Sequence, residues 1–160
     1  MRSGVDVKSV GPLTSWDIFL QGYRHAQQLA DDRNALVKMS KESQWHQTFD
    51  FRYQLFQLQK TVLVTTPRQE IVYASSSLYA MNGYLPGEVI GQTPRMFQGK
   101  DTKEETRAYV RAAVQNIQAF ETTIINYRKD GSLYNCHIHA IPLFNRNKQL
   151  VNFIAFESLV

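Results

Sequence analysis

From Trp16 to about Met39 the apolar positions recur at helical spacing. Trp16, Phe19, Leu20, Tyr23 and Ala26 form one stripe, continued by Leu29, Ala30, Leu36 and Val37, while Gln27, Asp31, Arg33 and Lys38 take the other face. Thr14 or Ser15 stands where a helix cap is expected. A second helical segment is predicted over Ser43–Gln59, carrying Trp45, Phe49, Tyr53, Leu55 and Phe56. After Lys60 the period shortens to two. TVLVTT and EIVYAS read as strands joined by a short turn at Pro67. SSSLYAMNG and PGEVIG read as two short helical turns, each closed by glycine. KEETRAYVRAAVQN predicts a longer helix with its acidic residues early and Arg111 late, as the helix dipole favours. FETTIINYRK, SLYNCHIHAIPLF and QLVNFIAFES predict three closing strands, the first two joined at the hairpin signal Asp130-Gly131.

Two strands, several short helices and three strands predict an α+β fold. Its five-stranded sheet is antiparallel, because the links are hairpins, and the central helices cover one face. With Asn126 pointing toward those helices, alternation sends Phe153, Ala155 and Glu157 the same way. It leaves Ile125, Tyr127, Ile154 and Phe156 on the opposite face, which is too apolar to remain wet. The N-terminal helices, from the same chain or a partner subunit, are the expected cover. The chain is thus expected to divide into a flexible tail over residues 1–15, a helical extension for dimerisation and signalling over 16–59, and a sheet domain over 60–160.

Composition narrows the function classes. At 43% hydrophobic and 20% charged residues the chain is globular rather than disordered. The net charge of +4 is spread without a dense basic run, so no nucleic-acid surface is expected. No apolar run is long enough to span a membrane, and residues 1–15 lack a signal-peptide apolar region. The single cysteine, Cys136, excludes an internal disulfide and fits a reducing, cytoplasmic setting. No nucleophile elbow, phosphate-cradling Gly-Lys-Ser loop or metalloprotease motif occurs, and no enzymatic turnover is expected. His137 and His139 share one strand face but lack the further ligands a zinc site needs.

IVYASSSLYAMNGYLPGEVIGQTPRMFQG and INYRKDGSLYNCHIHAIPLFN carry a family resemblance. From about Thr61 to Ser158 the chain resembles a PAS domain, and within that family the flavin-binding LOV type and bacterial sensory PAS domains. LOV domains carry Gly-x-Asn-Cys-Arg-Phe-Leu-Gln-Gly where this chain reads Gly91-Gln92-Thr93-Pro94-Arg95-Met96-Phe97-Gln98-Gly99. The resemblance implies that Arg95 and Arg111 hold a flavin mononucleotide (FMN) phosphate, and that Gln98 and Asn126 meet the polar edge of the ring. It also aligns Thr93 and Cys136 with two ring-binding asparagines, and Glu157 with the glutamine that relays flavin chemistry to the last strand. Pro94 stands where the photoactive cysteine would be and has no thiol to form the flavin adduct.

Simpler roles stand beside these. Arg95 and Arg111 are also ordinary exposed arginines, Gln98 and Asn126 also suit backbone at a sheet edge, and Glu157 also suits an internal ion pair. Cys136 also reads as a small buried apolar residue. The leading expectation is a cytoplasmic sensory module that binds FMN or another small ligand in its core. It would signal through its N-terminal helices and a homodimer to an effector that is a separate chain or a downstream region. A ligand-free PAS interaction module and a flavin-dependent redox enzyme are the other readings. A yellow protein separates the first and last from the second, and steady turnover of a reductant separates the last from the first.

Overall fold

The computed structural model describes residues 15–160. The tail expected over 1–15 lies, but for Ser15, outside the described residues. Helix α1 (Ser15–Glu42) is followed by an irregular stretch and one π-helical turn at Tyr53–Gln57. Strands β1 (Thr61–Thr65) and β2 (Ile71–Ala74) lead to two short helices, α2 (Leu78–Asn82) and α3 (Pro86–Val89). A 3-10 turn at Pro94–Phe97 and helix α4 (Glu104–Gln115) follow. The chain then closes with β3 (Phe120–Tyr127), β4 (Leu133–Phe144) and β5 (Leu150–Leu159). All strand pairs are antiparallel, in the order β2-β1-β5-β4-β3. The first and last strands in sequence thus lie side by side at the middle of the sheet. Gly131, with φ +86, supplies the left-handed residue that the β3–β4 turn requires.

Two cores lie on the two faces of this sheet. On the inner face, Leu63, Ile71, Leu78, Met81, Val89, Phe97, Ile124, Tyr134 and Cys136 pack beneath the short helices. On the outer face, Leu29 and Leu36 of α1 pack with Trp45, Phe51 and Leu55 onto Val62, Val64, Leu143, Ile154 and Phe156. Each fully buried aliphatic or aromatic side chain contributes about 1.5–3 kcal/mol, so the outer layer is part of the fold's stability. Asp32 lies between Leu29 and Leu36 on the buried face of α1 and is only 8% exposed. Its carboxylate accepts hydrogen bonds from Tyr73 Oη at 2.7 Å, Ser76 N at 3.0 Å and Ser76 Oγ at 2.6 Å. This ties α1 to the junction of β2 and α2. Burial and the bond to Asp32 both raise the pKa of the Tyr73 hydroxyl.

Two expectations need correction. The second N-terminal helix, over 43–59, forms only around its last turns. Gln44 turns left-handed, Trp45 bridges Asn145, and His46 N donates to Phe144 O at 2.8 Å. The Trp45 indole donates to Asn152 Oδ1 at 2.9 Å, so tertiary partners outcompete the i→i−4 ladder that the aromatic spacing suggested. The outer cover also stops short. It buries Ile154 and Phe156 but does not include Ile125 or Tyr127, because β3 is the far edge strand. Tyr127 instead wraps around that edge, bonds Asp101, and lies where a Cβ on Gly99 would overlap its ring. Gly99 therefore serves a close approach that no larger residue permits.

Candidate functional site

The inner face carries two neighbouring chambers that share part of their lining. The inner one, about 80 Å3, lies between the sheet and α4. Leu63, Phe97, Ile124 and Phe153 supply apolar wall, and Asn126 and Glu157 supply polar wall. The outer one, about 450 Å3, opens to solvent beside Arg68, Arg95, Arg107 and Arg111. Gln69, Pro94, Gln98, Val110 and Val114 line both.

Local structure explains the placement. In a 3-10 turn residues three apart share a side. Pro94 and Phe97 therefore turn together and Phe97 is buried to 2% exposure against Tyr84, while Arg95 and Gln98 stay at the mouth. On α4, Arg107, Val110, Arg111 and Val114 fall at helical spacing and present one stripe to the chambers. Asn126 and Glu157 reach the inner chamber by strand alternation from β3 and β5.

Unpaired polar atoms concentrate here. Among the described residues, four buried side-chain atoms have no hydrogen-bond partner: Thr65 Oγ1, Gln69 Nε2, Arg107 Nε and Asn126 Oδ1. Every one of these residues lines a chamber. Buried polar groups in folded proteins are normally paired, and each exception costs about 1–3 kcal/mol. Glu157 is 5% exposed and forms no ion pair among the described residues. Burial pushes its pKa from 4.5 up to about 7, opposed by a hydrogen bond from Cys136 Sγ at 3.5 Å. The Cys136 thiol is itself raised, first by burial and then by the Glu157 charge.

Of the residues expected from sequence, Thr93, Arg95 and Arg111 line the outer chamber, Gln98 lines both, and Asn126 and Glu157 line the inner one. Cys136 does not line either; it is fully buried in the inner core and reaches the site only through Glu157. Arg111 pairs with Glu104 at 3.4 Å. Arg107 donates through Nη2 to the Gly99 carbonyl, which fixes the arginine beside the mouth. Sequence reasoning passed over Thr65, Arg68, Gln69 and Arg107. The helical spacing from Arg107 to Arg111 was the available signal for the last of these.

A family model described as a PAS domain matches residues 59–157. Phototropin-2 of Oryza sativa subsp. japonica is 36% identical over 106 residues, which are 64% of this chain and 12% of that protein. The blue-light-activated histidine kinase of Brucella anthropi is 29% identical over 99 residues, 60% of this chain and 20% of the kinase. The match thus spans about an eighth to a fifth of these curated relatives. The structure described as "Flavin Analogue Sheds Light on Light-Oxygen-Voltage Domain Mechanism" is 26% identical with a TM-score of 0.64, covering 70% of this chain and 85% of that one. The PAS domain of the fruit-fly ELK potassium channel is 21% identical with a TM-score of 0.62, covering 71% and 98%, a likeness of fold alone. The match over residues 59–157, more than half of the chain and spanning the whole five-stranded sheet, shows that this chain belongs to the PAS domain family.

Proposed function

We propose that this chain is a sensory PAS domain that holds FMN, with the ring in the inner chamber and the phosphate among the outer arginines. The observation that carries this reading is the set of four orphaned polar atoms, all on residues that line the two chambers. They fit a ligand that is planar and hydrogen-bonding at one end and anionic at the other. The guanidinium groups of Arg95, Arg107 and Arg111 suit a phosphate. The amides of Asn126 and Gln98 match the mixed donor and acceptor edge of a pyrimidine-like ring. Protonated Glu157 has a hydrogen to donate to that ring. When bound, FMN supplies blue-light absorption and electron-accepting chemistry. Pro94 offers no thiol, so the reading is a sensor without cysteinyl chemistry. Turnover is not part of it.

At about 80 Å3 the inner chamber is smaller than the roughly 300 Å3 at which ligand pockets usually begin. Ring binding therefore widens it. The wall best able to give is α4, whose one buried residue is Ala113. The same small volume favours the second reading, a ligand-free PAS interaction module.

Output is assigned to α1. Every residue from 15 to 28 is exposed, including Trp16, Phe19, Leu20 and Tyr23 on one stripe. A symmetric homodimer would bury that stripe and present α1 to an effector, in another chain or downstream. The domain division at residues 59 and 60 follows, with α1 and the stretch after it as the transmitting layer.

The test is the visible absorption spectrum of freshly purified protein, followed by titration of ligand-free protein with FMN and with riboflavin. FMN is expected to bind more tightly than riboflavin, and Arg95→Ala with Arg111→Ala is expected to abolish that preference. A colourless protein that takes up neither compound refutes the flavin reading and leaves the interaction module.

A further inference from the structure

We propose that the groove between α1, α2 and the end of β5 is a second ligand site, which takes a free single-chain carboxylate of the fatty-acid class. The proposal does not depend on what fills the chambers of the inner face, with which this groove shares no lining residue.

The groove measures about 440 Å3, a volume in the range of small-molecule pockets. Its apolar lining comes from four stretches of chain: α1, the segment ahead of β1, α2 and the last residues of β5. Leu29, Leu55 and Met81 are buried there, whereas Leu58 and Leu159 remain 41% and 50% exposed. An acyl chain laid along the groove would cover both exposed leucines, and each methylene it buried would tighten binding by about fourfold.

The polar lining carries one sign of charge. Lys60 and His25 lie in the groove and no carboxylate does. Lys60 is half-buried and forms no ion pair among the described residues. Its ammonium donates to the Ser158 hydroxyl at 2.9 Å, which uses one of three hydrogens and leaves the hydroxyl's own hydrogen to donate. The His25 imidazole adds an N–H in either protonation state. Ser77 Oγ, by contrast, is spent on Thr61 Oγ1 at 3.0 Å. A half-buried ammonium held only by a neutral hydroxyl favours an anion at its remaining positions, and the two oxygens of a carboxylate match the donors of Lys60 and Ser158. The groove therefore suits a ligand with one negative end and one apolar tail.

Decanoate, decanol and decyltrimethylammonium are titrated into the full chain by calorimetry, below micelle formation. Wild type is expected to bind decanoate more tightly than decanol and to reject the cation. Hexanoate should bind at least about tenfold more weakly than decanoate, since it lacks four methylenes. Lys60→Met keeps the apolar stem and removes the charge; it is expected to weaken decanoate about tenfold and leave decanol unchanged. Ala80→Glu, at an exposed position of α2, should abolish decanoate binding and admit decyltrimethylammonium, and it carries the test if Lys60→Met melts lower than wild type. Arg95→Ala with Arg111→Ala, which changes only the outer chamber, should bind decanoate as wild type does. No decanoate binding by wild type, decanol bound as tightly as decanoate, or a loss in the arginine variant with none in Ala80→Glu overturns the proposal.

Discussion

Replacing Glu157 by glutamine should stabilise the ligand-free protein at alkaline pH and not at acid pH. The Glu157 carboxyl is buried with no cationic partner among the described residues, and burial raises its pKa from 4.5 to about 7. Below pH 4.5 both the folded and unfolded chains hold its proton, and stability does not depend on it. Between pH 4.5 and about 7 the folded chain holds the proton and the unfolded chain does not, so stability falls as pH rises. Above about 7 the loss is complete. At about 1.4 kcal/mol per pKa unit, the ionised residue costs the folded state about 3 kcal/mol. Glutamine keeps the shape and polarity of the protonated acid without this cost. For a chain of this size that corresponds to roughly 6–10 °C in melting temperature at pH 8, and to almost nothing at pH 4.5. The assay is thermal unfolding of wild type and Glu157→Gln from pH 4.5 to 8.5, read as the difference between them so that other titrating groups cancel. Parallel curves across that range would refute the reasoning, because they would mean Glu157 is ionised in the folded protein at no cost.

Other changes have equally definite outcomes. Asp32→Ala removes the acceptor of Tyr73 Oη and Ser76 and should cost about 2–4 kcal/mol, seen as a lower melting temperature together with faster proteolysis within α1; an unchanged cleavage rate would show that the carboxylate does not hold the helix. Deleting residues 1–59 uncovers Val62, Val64, Leu143, Ile154 and Phe156, and size-exclusion chromatography should find aggregates; a soluble monomer would refute the covering role of α1. Cys136→Ala should leave any light-induced absorbance change of flavin-loaded protein intact, since the thiol is fully buried, its pKa is raised and it lines neither chamber. A changed response in Cys136→Ala would place the thiol in the chemistry.

The sheet was legible because each of its determinants is local. Alternation set which residues of β3 and β5 face inward, and Asp130-Gly131 fixed one hairpin. The stretch from 43 to 52 was not legible, because Trp45 and His46 take their partners from Asn152 and Phe144, about a hundred positions away. In the site, Arg95, Gln98, Asn126 and Glu157 followed from motif and alternation. Gln69 and Arg68 did not, because nothing near them in sequence says that the β1–β2 turn folds over the mouth of a cavity. Asp32 left a readable trace that went unused. An acidic residue between Leu29 and Leu36 on an apolar helix face has to find a buried donor, and it finds Tyr73 and Ser76.

The two layers of the molecule meet in one strand. Phe153, Ala155 and Glu157 of β5 line the inner chamber, while Ile154 and Phe156 between them are buried in the outer core beneath α1 and the segment that follows it. A strand cannot move one set without the other, because adjacent residues share its backbone. An unbroken ladder holds β1 to β5, and the ladder to β4 is interrupted only at Leu143/Phe144, so movement of β5 has to be small and shared. The Asp32 bonds give α1 a second fixed point at the β2–α2 junction, beyond β1 from β5. A change at Glu157 that shifts β5 therefore acts on α1 at one contact while the Asp32 contact stays in place, which favours rotation of the helix over its release. Asp32→Ala removes the pivot. Crosslinking between cysteines placed on α1 and on the outer face of β4 should distinguish the two motions. Rotation changes which pairs link, and release lowers the yield of all of them.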